Sequence, residues 1–286
     1  MHFIKGMTEI LNDYDGFIVD LWGVIHNGSA LYPGVIPCLE EMKARGKRVV
    51  FLSNAPRRAH AALSRLQEMG LPADLYEGLV TSGEAVHGAL KDRTQDWSTA
   101  LGFKCYHIGA SKDLSLFEED VCVRVALLED ADFILNSGIE FAGQTVEDFE
   151  EVLQQALALN LPMVCANPDL VVHIGSALEY CAGAIAKRYE DLGGTVHSMG
   201  KPYGDVYARA SSHFPPGARI LAIGDAFETD IKGAQAFGID SAFVGGGIHR
   251  GDLQIQEGAL PPPELVEKLC EHYGIWPTYV IPGLIL

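Results

Sequence analysis

Phe17-Ile18-Val19-Asp20-Leu21-Trp22-Gly23-Val24 is a short apolar run that ends on a carboxylate and a glycine-containing turn. A run of this kind without polar alternation suits a strand buried on both faces, the condition of a parallel sheet covered by helices. Similar runs recur at Val49-Val50-Phe51-Leu52, Phe133-Ile134-Leu135, Met163-Val164-Cys165, Ile220-Leu221-Ala222-Ile223 and Ala242-Phe243-Val244. Between them lie helical patterns with readable ends. Val35 to Arg45 stops at Gly46, and Arg57 to Met69 stops at Gly70 with Pro72 beyond. Thr145 and Asp148 have the spacing of a capping box, opening a helix with Val146, Phe149, Val152, Leu153, Ala156 and Leu157 on one face. The alternation of strand and helix predicts an α/β protein with a mainly parallel sheet.

Composition narrows the function classes. The 286 residues are 48% hydrophobic and 21% charged, which excludes disorder, collagen and coiled coil, and the length accommodates two domains. A formal charge of −17 repels polyphosphates and anionic membrane surfaces, so no nucleic-acid partner is expected. No apolar run approaches the ~20 residues that span a bilayer, and no membrane partner is expected. Met1 to Ile10 contains Lys5 and Glu9 and no apolar signal core. The six cysteines form no C-x-x-C pair and several lie inside apolar runs, as buried thiols of a reducing compartment do. The expected location is cytoplasmic.

In open parallel sheets ligands bind beyond the carboxyl ends of the strands. Four such exits carry chemistry: Asp20-Leu21-Trp22-Gly23-Val24, Ser53-Asn54, Gly200-Lys201-Pro202 after a short strand near Val196 to Ser198, and Gly224-Asp225 with Asp230 five residues on. Each alone reads as a helix cap, a turn pair, a solvated surface charge or a glycine turn. Together, in this order, they suit phosphoryl transfer through a carboxylate nucleophile, Asp20. Asp20, Asp225 and Asp230 carry three negative charges, which one Mg²⁺ and Lys201 offset, so a phosphoryl dianion can enter. Mg²⁺ prefers oxygen ligands, which Asp20, Asp225, Asp230 and the Trp22 carbonyl would supply. Ser53 and the Asn54 amide would take the remaining phosphoryl oxygens. Asn167 and Asp169 follow the Met163 to Ala166 strand and read either as substrate contacts or as an ordinary Asn-Pro-Asp turn.

With these motifs in view the chain resembles the haloacid-dehalogenase-like hydrolase superfamily, and within it the class IIA branch of NagD-type, pyridoxal phosphate and 4-nitrophenyl phosphatases. The resemblance rests on Asp20-Leu21-Trp22-Gly23-Val24, Leu52-Ser53-Asn54, Gly200-Lys201-Pro202 and Gly224-Asp225-Ala226-Phe227-Glu228-Thr229-Asp230-Ile231. Arg57-Arg58, Thr81-Ser82-Gly83, Ala166-Asn167-Pro168-Asp169 and Ala182-Gly183-Ala184 extend it. It implies a Rossmann-like core over about residues 1–92 and 195–286 and an inserted α/β cap over about 93–194. It implies further a Mg²⁺-dependent phosphatase acting through an aspartyl-phosphate on Asp20, with Lys201 in the catalytic set. A cap of this type favours small-molecule phosphorylated substrates, and relatives pair as homodimers through it.

The sequence departs from that pattern at Trp22, where the family's phosphatases carry a second Asp that protonates the leaving oxygen and later activates water. An indole has no titratable proton near neutral pH, so a step worth about 10²–10⁴-fold cannot come from this side chain. Ala55-Pro56 departs as well, where the family commonly has Asn-Ser. Three readings remain: a phosphohydrolase for substrates with good leaving groups, or with His26 as substitute acid; a dehalogenase-like hydrolase; and a non-catalytic relative that binds a phosphorylated ligand. By default His26 reads as an ordinary loop histidine. The paired Asp225 and Asp230 argue against metal-free dehalogenase chemistry.

Overall fold

The computed structural model describes residues 1–110, 114–174, 177–256 and 258–286. Its strands are, in chain order, β1 (His2–Phe3), β2 (Gly16–Val19), β3 (Arg48–Ser53), β4 (Gly78–Thr81), β5 (Lys104–Ile108), β6 (Val123–Val125), β7 (Phe133–Asn136), β8 (Met163–Cys165), β9 (Val171–Ile174), β10 (Ala177–Tyr180), β11 (Val196–Ser198), β12 (Ile220–Gly224), β13 (Asp240–Val244) and β14 (Tyr279–Ile281). A seven-stranded sheet runs β1-β14-β13-β12-β2-β3-β4, and every neighbouring pair in it is parallel. A second sheet, β11-β8-β7-β5-β6, is also wholly parallel, and β9 with β10 makes an antiparallel hairpin. The fold is the expected α/β class, Rossmann-like in its main sheet.

Side-chain alternation shows why the strand runs lack polar residues. Phe17 and Val19 of β2, Val49 and Phe51 of β3, and Leu221 and Ile223 of β12 enter one apolar cluster. Their strand neighbours Ile18, Val50, Leu52, Ile220 and Ala222 enter the cluster on the opposite face. Both faces are dry, so each position between them is apolar. The second cluster also takes Phe133 and Leu135 of β7 and Val164 of β8, together with Ala85, Val86, Ala89 and Leu90 of the helix Ser82–Asp92. One helix therefore packs between the two sheets and joins them.

The strand at Val196–Ser198, grouped with the main sheet in the sequence reading, pairs in parallel with β8 of the second sheet. Val196 packs against the apolar cluster behind that sheet, with Met163, Ile185 and Tyr189, and this contact draws the strand to it. The expected boundary at 195 therefore falls inside the second sheet. The helix after Thr145 begins as a tight turn, Val146–Phe149, before the α-helix Glu150–Ala158, and the Asp148 carboxylate accepts the Thr145 N–H at 2.7 Å. At the other end of the chain Tyr279–Ile281 enters the main sheet between β13 and β1. Among the described residues no helix is long and apolar enough to cross a membrane.

Candidate active site

In the main sheet the chain moves outward from β2 to β3 and β4 on one side, and from β12 to β13 and β14 on the other. The crevice at such a reversal is where open parallel sheets bind ligands. Asp20 leaves β2 there, its N–H donating to the Ile223 carbonyl at 2.8 Å, and Asp225 leaves β12 beside it. A wide helical turn, Phe227–Ile231, returns Asp230 to the same place. The carboxylates of Asp20, Asp225 and Asp230 lie within 4.8 Å of one another, and all three residues are buried.

Lys201 closes this cluster from the exit of β11. Its Nζ donates to Asp20 Oδ1 and, at 2.7 Å, to Asp230 Oδ1, and only 3% of the residue is exposed. Burial works against the ammonium, but the carboxylates of Asp20, Asp230 and Asp169 outweigh it and hold Lys201 charged. Burial likewise pushes Asp20 above the usual carboxylate range, with Lys201 pulling it back. Asp225 is pushed up to about 8, by burial first and by the charge on Asp230 second. Three carboxylates with one ammonium among them leave a charge deficit that a divalent cation would fill.

The surroundings fit a hard cation. All the convergent donors are oxygens, the set that Mg²⁺ selects. Asp225 is fixed by the Ile248 N–H, which donates to Oδ2 at 2.7 Å from the Gly245-Gly246-Gly247 loop after β13. Gly23 has φ +84°, and a Cβ there would run into the Asp225 carboxylate, so the turn after Asp20 admits no side chain. Asp230 Oδ2 accepts the Ala226 N–H at 3.2 Å, and the Tyr207 hydroxyl donates to the Asp230 carbonyl at 3.0 Å.

The remaining expected residues converge on the same place, two of them with different tasks. Ser53 is buried at the end of β3, its Oγ accepting the Ala55 N–H at 3.2 Å. The Asn54 side chain, expected to face a ligand, is engaged within the protein. Its Oδ1 accepts the Lys201 N–H at 2.7 Å, and its Nδ2 donates to the Lys201 carbonyl at 3.1 Å and to Asp169 Oδ1 at 2.8 Å. Asn167 Oδ1 accepts the Asp169 N–H at 3.0 Å, so Asn167 makes the Asn-Pro-Asp turn and aims Asp169 at Asn54. Burial raises the Asp169 carboxyl above its ordinary range, while Lys201 and the bond from Asn54 pull it down. The Gly183 N–H donates to the Asp169 carbonyl and the Gly83 N–H to the Ala55 carbonyl, each at 3.1 Å, which gives the two small-residue motifs their place.

Trp22 and His26 belong to one folded loop. Ile25 and His26 both donate their N–H to the Leu21 carbonyl, at 2.8 and 3.0 Å. The indole N–H of Trp22 donates to the His173 carbonyl of β9 at 2.8 Å. His26 Nδ1 accepts the Gly28 N–H at 3.0 Å, and burial pushes its pKa down to about 4, with the charge of Arg65 adding to the effect. A neutral ring held in this way is a poor proton donor at neutral pH. The hairpin that receives Trp22 is absent from the sequence-based expectations, although Val171-Val172-His173-Ile174 and Ala177-Leu178-Glu179-Tyr180, separated by the pair Gly175-Ser176 in the sequence, carry its signal.

Comparison with known proteins agrees with this geometry. Residues 17–120 match the family described as haloacid dehalogenase-like hydrolase, and residues 198–284 match the one described as HAD-hydrolase-like. The chain is similar to a hydrolase of the haloacid dehalogenase-like family from Brucella suis, at 28% identity and TM-score 0.83 over 99% of this chain and 100% of that one. It is also similar to 4-nitrophenylphosphatase from Thermotoga maritima, at 25% identity and TM-score 0.70 over 96% of each chain. A curated relative, 4-nitrophenylphosphatase from Schizosaccharomyces pombe, is 30% identical over 74 residues, or 26% of this chain. The matched stretch spans 25% of that relative's length.

Proposed function

The chain belongs to the haloacid dehalogenase-like hydrolases, and on that premise we propose that it is a Mg²⁺-dependent phosphatase of small phosphorylated metabolites, working through an aspartyl-phosphate on Asp20. The observation that carries this reading is the buried cluster of Asp20, Asp225 and Asp230 around Lys201. Such a cluster, with three carboxylates to one ammonium, is costly to bury unless a divalent cation completes it. The similarity to named 4-nitrophenylphosphatases points the same way.

In this reading Asp20 attacks phosphorus, and Lys201 steadies both the attacking carboxylate and the transferring group. Ser53 binds a phosphoryl oxygen, and Asn54 holds Lys201 and Asp169 in register. Asp20, Asp225, Asp230 and the Trp22 carbonyl would hold the metal, which when bound neutralises charge on the phosphoryl group. Asp169 and Asn167 line the substrate side, Asn167 as the turn that aims Asp169. Water then hydrolyses the acyl phosphate and regenerates Asp20. No residue 22 carboxyl takes part.

The second sheet, with its segment from 104 to 198, serves as the cap, and the rest of the chain is the core. Phe141, 64% exposed, and Leu178 of β10, 57% exposed, support pairing of two copies through the cap. The six free and buried thiols agree with a cytoplasmic protein.

Phosphate release from 4-nitrophenyl phosphate and acetyl phosphate, with and without Mg²⁺, tests the proposal in wild type and Asp20→Asn. Metal-dependent turnover that vanishes in the variant, with one phosphoryl group found on Asp20 by peptide mass spectrometry in wild type, is the expected result. Binding of phosphate or phosphorylated compounds without turnover or Asp20 modification would instead favour a ligand-binding relative.

A further inference from the structure

The indole of Trp22 is held on three sides. Its single polar hydrogen is given to the His173 carbonyl of the β9–β10 hairpin at 2.8 Å. The His26 ring meets it edge-on at 5.1 Å between centroids, with the planes at 72°. Gly28, at φ +89°, brings bare backbone against the far edge, where a Cβ would lie 2.6 Å from the ring carbons. The ring thus joins the loop that follows Asp20 to the lobe that carries Asn167 and Asp169, and its one N–H, which is not acidic near neutral pH, is taken up by that bond.

We infer that Trp22 is a specificity-determining residue: tied to the hairpin, it occupies the position from which a leaving group would be protonated, and it restricts the site to phosphoryl donors whose leaving group departs as a stable anion, acyl phosphates and phosphoanhydrides. The inference rests on the phosphatase reading above and narrows its substrate class. Asp20 Oδ attacks phosphorus and the bond from phosphorus to the leaving oxygen breaks, its electron pair staying on that oxygen. A carboxylate leaves with a conjugate-acid pKa near about 4, so no proton is needed. An alkoxide leaving group is far more basic and departs slowly without one. Water then attacks the phosphorus of the aspartyl-phosphate. For acetyl phosphate the sum is acetyl phosphate dianion plus water giving acetate and dihydrogen phosphate, which balances in atoms and charge.

The test measures kcat/KM with Mg²⁺ for aryl phosphates of graded leaving-group pKa, together with acetyl phosphate, pyrophosphate and glycerol 3-phosphate. It compares wild type, Trp22→Phe and Trp22→Asp. Wild type is expected to show a steep fall of log kcat/KM with leaving-group pKa, and Trp22→Phe the same slope. Trp22→Asp should flatten it, shrinking the preference for acetyl phosphate over glycerol 3-phosphate by about 10²–10⁴-fold. Acetyl phosphate and pyrophosphate separate the two anionic leaving-group types. Hydrogen exchange gives the second readout: amides of β9 and β10 should exchange several-fold faster in Trp22→Phe, which keeps a ring and loses the N–H.

A shallow slope in wild type, which needs no variant to fold, overturns the inference and places a proton donor elsewhere, with His173 and Asp169 the first to substitute. Unchanged hairpin exchange in Trp22→Phe overturns it too, because the tie would not exist in solution. If no phosphate compound is cleaved and Asp20 acquires no phosphate, the phosphatase reading itself falls, and the inference with it.

Discussion

Asn54 and Lys201, separated by 147 positions, are clamped to each other: one side-chain amide accepts the Lys201 N–H at 2.7 Å and donates to its carbonyl at 3.1 Å. The clamp sets where the ammonium stands relative to Asp20, and the bond from Nδ2 to Asp169 draws the second lobe to the same point. Asn54→Ala leaves a buried amide and carbonyl unpaired, at about 1–3 kcal/mol per orphaned group. The expected outcome is a lower denaturation midpoint together with weaker phosphate release, read by urea unfolding and a phosphate assay. Lost activity at unchanged stability would show that Asn54 acts on the ligand rather than on Lys201.

Lys201→Met removes the cation shared by Asp20 and Asp230 while keeping most of the side-chain volume. Breaking a buried ion pair from one side typically costs about 3–5 kcal/mol. The loss should be large near neutral pH and smaller in acid, where the carboxylates are protonated. Chemical denaturation at two pH values checks this, and equal losses at both would mean that packing rather than charge holds the site.

The pH response of the metal-free wild type follows from Asp225, whose carboxyl is pushed up to about 8. An acid whose folded pKa exceeds its unfolded one binds protons on folding, so its stabilising effect is present below the ordinary carboxylate range and is lost as pH rises towards the folded value. Thermal unfolding of the chelator-treated protein should therefore drop from about pH 5 to about pH 8. Mg²⁺ should flatten the decline, with the larger gain at the alkaline end, because the ion binds the deprotonated cluster. A gain independent of pH would count against metal binding at these carboxylates.

Gly23→Ala places a methyl group against the Asp225 carboxylate at a backbone φ of +84°. The left-handed conformation alone costs about 1 kcal/mol or more for a residue with a Cβ. The clash moves Asp225 as well, so Mg²⁺ affinity by calorimetry should fall further than the melting temperature suggests. Unaltered affinity would remove Asp225 from the metal site.

The cysteines give a simpler check. All six are free and buried. A thiol reagent should react slowly with the native protein and titrate six groups after denaturation. Fast reaction of one native thiol would identify an exposed cysteine that the fold does not contain.

The main sheet was readable from local sequence because each of its central strands is buried on both faces, which forces an unbroken apolar run before Asp20, Ser53 and Asp225. That Asp20, Lys201, Asp225 and Asp230 would lie together was readable for a related reason: they follow strand ends, and the exits of neighbouring parallel strands open on one edge of the sheet. The hairpin was missed because β9 and β10 are short and lack the unbroken apolar run of the central strands, although the Gly175-Ser176 pair between Val171-Val172-His173-Ile174 and Ala177-Leu178-Glu179-Tyr180 is a hairpin signal.

Other features were decided only by contacts distant in sequence. The Val196–Ser198 strand could have joined either sheet, and the apolar layer behind β8 assigns it to the second. Asn54 has the same amide whether it faces a ligand or Lys201, and Trp22 has the same indole whether its ring swings free or is tied to His173. Which chemical groups the chain offers could be read from residue types alone, because donor, acceptor and charge are properties of single side chains and short runs. The tertiary structure decided what each group touches, because hydrogen bonds across 147 and 151 positions arise only when packing of the two sheets brings their loops together.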